Sequence, residues 1–407
     1  MLSTAAKLIP RASRLRFVQA SRLAAFSTEA PVAAEATEAA PAGVKAISAA
    51  HPISQVEKED LLKFFELSDA QIKNNFPEGM PKRIKEYFEL TEPQKQFMLR
   101  KPTLDILSVM KDFPNNWPAH WPEKAFVLTA SVARARGTYR QATCVALLQI
   151  VNFARENGWI VLFAPHVRAW CYEAPYVTKS AHIQGKYDID VVAMDVLKQL
   201  IQSHGHQLAE LPLSADYGDK YYPHTFEKKP KSTSEYDKAS LTLLDMAENG
   251  LKDDLLSCAA LVDLRAELAK VTKFPVLIAI DEYNTLFEKT VFGYEGHDVA
   301  PRDISFIHAL ADVDETGHRE DRSLANGLFV AATTKNFPSA FKFTHQVDCK
   351  RLRKVMHPYS HEELDQLIAY LRSINFWKKD LTPTEVSFLR LMTKNVPVKV
   401  FKQACIM

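Results

Sequence analysis

The stretch GTYRQATC, residues 137–144, has the spacing of a phosphate-binding loop without the residue types that such a loop uses. A working loop has a glycine, four further residues, and then a second glycine, a lysine and a serine or threonine. Gly137 supplies the first glycine, but Ala142, Thr143 and Cys144 occupy the last three positions. The spacing therefore indicates a nucleotide site, and the residue types indicate that it has degenerated.

Each of the three replacements removes one part of the binding chemistry. The Cβ of Ala142 disfavours the positive φ angle through which glycine lets the backbone approach a phosphate. Thr143 has no positive charge to bridge phosphate oxygens, and the thiol of Cys144 is a poor ligand for the hard Mg²⁺ ion. Nearby arginines could supply a charge instead: Arg134, Arg136 and Arg140. The sequence predicts that nucleotide binding is weakened or lost.

A second stretch, VLIAIDE at 276–282, keeps the residue types of the Mg²⁺-binding strand of nucleotide hydrolases. Its apolar run ends in Asp281, which could reach Mg²⁺, and Glu282, which could activate a water molecule. After the next apolar run, Thr334 and Asn336 stand where a polar group would contact the γ-phosphate. Any cofactor is therefore expected to be GTP, GDP or ATP, bound as a structural ligand with its Mg²⁺ on Asp281, and otherwise none is expected.

The pattern of apolar runs predicts an α/β domain over residues 121–345. AFVLTA is typical of a buried strand, QATCVALLQIVNFAREN has the period of a helix, and WIVLFAP is typical of a second strand. That order is the βαβ unit of a parallel sheet. KFPVLIAI and GLFVAAT predict two more strands, apolar throughout as strands buried on both faces are. The first strand ends at Ala130, so the loop to Gly137 is longer than the phosphate-binding motif allows.

Helical segments are predicted on both sides of this domain. Residues 51–120 form a helical N-terminal extension, with capping boxes that begin at Ser68 and Thr91. Residues 346–407 form a small C-terminal helical domain, with capping boxes that begin at Ser360 and Thr382. The capping boxes fix where the predicted helices begin.

The first 50 residues do not have the composition of a folded domain. Residues 1–28 contain five basic and no acidic side chains, which is typical of a mitochondrial transit peptide. Residues 29–50 are rich in alanine, proline and glutamate and predict a disordered linker, because they have too little apolar surface to bury. The folded part is expected to begin near His51.

Composition excludes several classes of function. The 51 basic and 49 acidic residues give a net charge of +2, so nothing indicates DNA binding, and any RNA contact would be local. No apolar run reaches the ~18 residues of a membrane span. The five cysteines include no CxxC pair, which argues against a zinc knuckle. His204 and His206 lack further ligands at metal spacing and are expected to lie exposed near a helix end.

Several segments together resemble the death-associated protein 3 family: GWIVLFAP, LTLLDMAENGL, AELAKVTKFPVLIAIDEYNTLF, GLFVAATTKNF and HPYSHEELDQLIAYL. The similarity extends from about residue 80 to the C-terminus and is strongest over 241–295. It implies a P-loop NTPase fold of the AAA-like kind, a parallel sheet flanked by helices. It also places residues 137–144 on the phosphate loop, and Asp281 and Glu282 on the Mg²⁺-binding strand.

The resemblance implies a protein in the head of the mitochondrial small ribosomal subunit, in the matrix, that contacts rRNA and neighbouring ribosomal proteins and binds a guanine nucleotide. Because the loop is degenerate, we expect a structural component and not an enzyme. Two alternatives stay open. One is an active mitochondrial NTPase of the AAA or signal-transduction type, which would depend on Asp281 and Glu282, and the other is an apoptosis-linked adaptor.

Overall fold

The computed structural model describes residues 47–92, 94–113, 124–130, 140–217, 220–221, 241–314, 317–334, 353–377 and 381–404. The chain divides into a unit of residues 1–45 and a unit of residues 46–407, and every described residue belongs to the second. The predicted transit peptide and most of the predicted linker lie outside the described residues, and both stay predictions. The domain boundaries of the sequence analysis stay predictions as well.

The N-terminal segment contains helices and one pair of short strands. In chain order its elements are β1 (Phe64–Glu66), α1 (Asp69–Asn75), α2 (Lys82–Thr91), β2 (Gln96–Met98) and α3 (Lys101–Asp112). The antiparallel pair β1–β2, with Phe65 opposite Phe97, was not predicted. The capping box at Ser68 is confirmed. The one at Thr91 is wrong, because Thr91 ends α2 and its hydroxyl donates to the carbonyl of Tyr87 at 3.0 Å.

The central segment alternates strands and helices as predicted. Its elements are β3 (Ala125–Ala130), α4 (Arg140–Glu156), β4 (Ile160–Ala164), α5 (Val167–Tyr172), β5 (Thr178–Lys179), β6 (Tyr187–Asp188), α6 (Asp190–Ala209), α7 (Leu243–Lys252), α8 (Asp254–Leu268), β7 (Val276–Ile280), β8 (Gly293–Tyr294), β9 (His297–Asp298), α9 (Ser305–Leu310), β10 (Val313–Asp314), β11 (Gly317–His318) and β12 (Gly327–Ala332).

The C-terminal segment adds one strand and a set of helices. Its elements are β13 (Arg353–Met356), α10 (His361–Ser373), α11 (Pro383–Thr393) and α12 (Pro397–Ala404). The capping boxes at Ser360 and Thr382 are confirmed, and Pro383 opens α11 at a position where its missing N–H is not needed. β13 was not predicted, because its RKVM sequence is only four residues long and half polar.

In the described part of the chain, five strands form one parallel sheet in the order β13-β3-β12-β7-β4. The predicted α/β fold of the P-loop type, a parallel sheet flanked by helices, is thereby confirmed. Strand β12 lies between β3 and β7, so the carboxyl end of β12 comes next to the ends of both neighbours. This order brings the ends of three strands predicted to carry site residues to one edge of the sheet.

Helices cover both faces of the sheet. Alternate side chains of a strand point to opposite faces. On one face Ile278 packs in a core with α6, α7, α8 and α9, and on the other Leu277 packs in a core with α3 and α4. Complete burial of such a side chain contributes about 1.5–3 kcal/mol. The two cores explain why the sequences of β4, β7 and β12 are apolar throughout.

The β1–β2 pair lies between the central domain and the C-terminal helices. Phe65 and Phe97 contribute to the core around α4, whereas Phe64 and Met98 on the opposite face contribute to a core with α10, α11 and α12. Phe64 stacks on Tyr370 of α10 with ring centroids 3.8 Å apart. The segments at the two ends of the described chain therefore share one hydrophobic core.

His204 corrects an expectation of the sequence analysis. The side chain of His206 is 91% exposed, but His204 is only 6% exposed. Its Nε2 accepts a hydrogen bond from the backbone N–H of Val161 in β4 at 3.0 Å, and its Nδ1 lies 2.8 Å from Oε1 of Gln207. Burial lowers the pKa of His204 to about 4, with a smaller contribution from nearby Arg155. His204 is a neutral link between α6 and the edge of the sheet.

Gly250 is required for the close approach of α7 to its neighbours. A Cβ atom at this position would lie 2.5 Å from Cβ of Ala260 in α8 and 3.0 Å from Cδ1 of Leu197 in α6. We expect Gly250→Ala to lower the free energy of unfolding by about 1–3 kcal/mol, because the helices must move apart. Urea unfolding monitored by circular dichroism measures this change.

Gly205 in α6 provides the matched control for that substitution. A Cβ atom at Gly205 would meet Ile201 and Leu244 at 3.7 and 3.8 Å, which are ordinary contacts. Alanine restricts the unfolded chain and favours the helix, so Gly205→Ala should raise the free energy of unfolding by about 0.5–1 kcal/mol. Effects of the same sign from the two substitutions would contradict the described helix packing.

Candidate functional site

The candidate site lies at the carboxyl edge of the parallel sheet, where β7 and β12 end beside the N-terminal part of α4. Six of the predicted residues are described there: Ala142, Thr143, Cys144, Asp281, Glu282 and Thr334. Gly137 and Asn336 lie outside the described residues, as do Arg134, Arg136 and the side chain of Arg140. The nucleotide-binding roles assigned to all eight predicted positions stay predictions.

The two residues at the lysine and hydroxyl positions of the motif are part of the interior. Thr143 is fully buried, and its hydroxyl donates to the carbonyl of Thr333 at the end of β12, at 3.3 Å. Cys144 is 3% exposed and belongs to the core between α4 and the sheet. Both side chains are oriented inward because α4 places this side of the helix against the strands. Thr143 therefore serves as a contact between α4 and β12.

Asp281 and Glu282 begin a tight turn directly after β7. Asp281 is 1% exposed, its N–H donates to the carbonyl of Ala164 in β4 at 2.8 Å, and its Oδ1 accepts from the N–H of Glu282 at 2.8 Å. Glu282 has a left-handed backbone, φ 60° and ψ 25°, which is uncommon for a residue with a side chain. The N–H and hydroxyl of Thr285 hold this conformation by donating to the carbonyl of Glu282, at 2.8 and 2.7 Å.

The next two residues of this turn fix it to the surrounding structure. The hydroxyl of Tyr283, a fully buried residue, donates to the carbonyl of Val313 at 2.6 Å and accepts from the N–H of Val313 at 3.0 Å. Oδ1 of Asn284 accepts from the N–H of Thr334 at 2.7 Å. The turn after β7 is thus tied to β10 on one side and to the end of β12 on the other.

Asn284 is the site residue that the sequence analysis missed. Its side chain connects the acidic turn to Thr334. Asn284 is only 4% exposed and therefore lies inside the site. The sequence holds one signal for it, since an amide three residues after a strand-terminal aspartate can reach a neighbouring strand end. Hydrogen bonds now connect α4 to the end of β12 and the end of β12 to the turn after β7. The predicted segments meet, as the strand order requires.

The chemistry available at this edge is that of carboxylates held on a rigid frame. Asp281 and Glu282 are oxygen ligands of the kind that Mg²⁺ prefers. Thr143, at the lysine position, brings no positive charge, and its hydroxyl is bound to a backbone carbonyl. The described residues could therefore help to hold Mg²⁺ if a nucleotide supplied the remaining ligands, but Thr143 and Cys144 carry no positive charge that would neutralise a phosphate.

A separate group of possible metal ligands is buried elsewhere in the α/β domain. One ligand atom each from Asp188, Asp190 and Cys258 lies within 4.8 Å of the others. Burial raises the pKa of the Cys258 thiol, as do the two nearby carboxylates, so the thiol is protonated at neutral pH. Burial also raises the pKa of Asp190, and Asp188 accepts a hydrogen bond from Ser305. These contacts are those of a structural polar cluster.

Comparison with known protein families identifies the chain. A profile of the family described as mitochondrial ribosomal death-associated protein 3 matches residues 97–392, well over half of the sequence. The chain belongs to the death-associated protein 3 family. A comparison with curated proteins finds no match. Membership of this mitochondrial ribosomal family confirms the resemblance, and it implies a mitochondrial location and partners in the mitochondrial ribosome.

The match to the death-associated protein 3 family includes the whole candidate site. All five strands of the parallel sheet and every described site residue lie within 97–392, whereas β1, α1, α2 and α12 lie outside it. No helix among the described residues is long and apolar enough to cross a bilayer. The family assignment and the sheet therefore concern the same part of the molecule.

Proposed function

We propose that the chain is a structural component of the small subunit of the mitochondrial ribosome. It would act in the head of that subunit, in the matrix, in contact with small-subunit rRNA and neighbouring ribosomal proteins. It would have no catalytic turnover, and its nucleotide site would be weakened or lost. Membership of the death-associated protein 3 family supports the ribosomal part of this proposal.

One observation carries the proposal of a degenerate site. Thr143, at the position of the phosphate-binding lysine, is fully buried and hydrogen-bonded to the carbonyl of Thr333. A side chain with this partner contributes to the packing of α4 on the sheet and adds no charge for a phosphate. In this proposal the strand order and the acidic turn of the P-loop fold are kept as a scaffold. Any GTP, GDP or ATP that still binds with Mg²⁺ would be a structural ligand.

Sedimentation tests the ribosomal role. Mitochondrial lysate is run on a sucrose gradient in buffer with Mg²⁺ and again after Mg²⁺ is chelated to separate the subunits. We expect the protein to sediment with the small-subunit rRNA in both gradients. If the protein sediments as a free chain or as a small oligomer, the ribosomal proposal is overturned.

A nucleotide titration tests the degenerate site. The matched variant is Asp281→Asn, which keeps an oxygen to accept from the N–H of Glu282 but removes the carboxylate that could hold Mg²⁺. We expect neither protein to bind GTP or ATP saturably at millimolar concentration with Mg²⁺, and we expect Asp281→Asn to sediment with the small subunit as the wild type does. Saturable binding that Asp281→Asn abolishes would show a working Mg²⁺ site, and hydrolysis of the bound nucleotide would then favour the NTPase alternative over a structural ligand.

A further inference from the structure

A pocket lies beside the candidate site, at the carboxyl end of β4 and between α5 and α6. Its volume is about 290 Å³. Ala164, whose carbonyl accepts from the N–H of Asp281, forms part of its lining. The deeper lining is apolar and aromatic, since Phe163, Trp170 and Val196 are each at most 9% exposed. The pocket therefore has a rigid hydrophobic floor that belongs to the core of the domain.

Three carboxylates also line this pocket, beside the polar side chains of His166 and Gln199. Glu78, Glu173 and Asp195 line it, and none of its lining residues, all of them described, is a lysine or arginine. Arg155 balances Glu78 in an ion pair of 2.5 Å whose two side chains are almost completely buried. Negative charge thus remains on the two outer carboxylates, Glu173 and Asp195.

The described residues compensate these two outer carboxylates poorly. Glu173 pairs with Arg168 at 3.1 Å, but the carboxylate side chain is 65% exposed, and an exposed pair of this kind contributes little. Asp195 is exposed and has no ion pair with any other described residue. A cation that entered the pocket would find both carboxylates available at its mouth.

Two exposed apolar side chains lie at or near the pocket. Val191 lines it and is 39% exposed, and Tyr176, next in sequence to the lining residue Pro175, is 48% exposed. Exposed apolar groups next to a concave site are typical of protein docking surfaces. The volume is at the lower limit of small-molecule sites, and carboxylates repel phosphate. These features favour a single long side chain and disfavour a nucleotide or an RNA strand.

We propose that this pocket receives a lysine or arginine side chain of a neighbouring protein in the ribosomal small subunit, an inference that rests on the proposed function. The alkyl stem of the side chain lies along Phe163 and Val196, and its charged end meets Asp195 and Glu173. Long basic side chains bury their stems on apolar surface in this way, and Trp170 adds an aromatic ring that attracts a cation. Complementary charge makes the contact specific for a protein and not for rRNA.

The test is a double charge reversal, Glu173→Lys with Asp195→Lys, in the full-length protein. Purified small subunits that carry the variant are centrifuged through sucrose at increasing KCl, and the fraction of the protein retained is measured. We expect retention at high salt to fall to less than about half of the wild-type value, because a cation in the partner now meets two cations. The matched control reverses Glu295 and Asp298, two exposed carboxylates of the β8–β9 hairpin, and should leave retention unchanged.

Each other outcome overturns the proposal in a recognisable way. Stronger retention of the double variant would show that the pocket faces rRNA, and unchanged retention would show that it faces solvent. An equal loss with the control pair would show a general effect of charge. If the wild type itself does not sediment with the small subunit, the proposed function fails. That failure is distinguishable from a failure of the pocket proposal, because it is seen without any substitution in the pocket.

A photo-crosslinking amino acid at Tyr176 gives a second readout that does not depend on retention. In purified wild-type small subunits, we expect the crosslink to map to a protein segment that contains lysine or arginine. A crosslink to rRNA, or none, would contradict the proposal. Circular dichroism of the charge-reversal variant confirms that it is folded before either result is interpreted.

Discussion

Replacing Glu363 by alanine is expected to lower the free energy of unfolding by about 3–5 kcal/mol, because it leaves a guanidinium buried without its partner. Arg100, at the start of α3, donates from Nε and Nη2 to the two carboxylate oxygens of Glu363 in α10, at 2.8 and 2.9 Å. The two side chains are only 8% and 12% exposed. Nη2 also donates to the carbonyl of His357 at 3.0 Å, and the guanidinium lies over the ring of Tyr359.

This ion pair joins the N-terminal segment to the C-terminal helices, so its loss should be seen as a fall in the urea midpoint of the whole unit. Glu362→Ala is the matched control, since Glu362 lies in the same first turn of α10 but is exposed. Removing this carboxylate should lower the free energy of unfolding by less than about 1 kcal/mol, because only its interaction with the helix dipole is lost. Similar losses from the two variants would contradict the prediction.

A double-mutant cycle separates the ion pair from the other roles of Glu363. Oε2 of Glu363 also accepts from the N–H of Ser360 in a capping box, at 2.8 Å, so part of the loss comes from the cap. Adding Arg100→Met to Glu363→Ala removes the unpaired charge. The double variant should recover part of the lost stability, because the effects of substituting two contacting residues on the free energy of unfolding are not additive.

Acidification is expected to destabilise the fold through His204. The pKa of His204 is lowered from 6.5 to about 4 in the folded protein by burial, so the unfolded chain binds the proton more tightly. The stability that the neutral ring contributes is complete above pH 6.5 and is lost as the pH falls from 6.5 towards 4. At pH 5 the loss should be about 2 kcal/mol. Protonation would also remove the acceptor that Nε2 offers to the N–H of Val161.

Urea unfolding at pH 7.5 and pH 5 measures this effect when the wild type is compared with His204→Gln. The variant should lose stability at pH 7.5 but show a smaller further loss at pH 5 than the wild type does. His206→Gln, which removes an exposed histidine of the same helix, should keep the pH dependence of the wild type. If wild type and His204→Gln lose stability equally between the two pH values, His204 is not the group responsible.

Local features of the sequence determined four strands of the central sheet and the starts of three helices outside the central domain. The apolar runs at 125–130, 160–164, 276–280 and 327–332 became parallel strands, and the capping boxes at Ser68, Ser360 and Thr382 begin helices. These signals could be interpreted from the sequence because helix period, strand apolarity and capping depend on residues that are close along the chain. The segments that resembled the death-associated protein 3 family also identified the family to which the chain belongs.

The tertiary structure decided the strand order, the fifth strand and the environment of the polar side chains. β13 joins the sheet only by pairing with β3, more than 200 residues earlier in the chain. His204, on a polar stretch of α6, is buried because β4 presents the N–H of Val161 to it. Thr143 and Asn284 acquire their roles from Thr333 and Thr334, which directly follow β12. Such contacts join residues far apart in sequence, so neither periodicity nor local motifs could predict them, and only the folded chain shows that Thr143 packs α4 against the sheet.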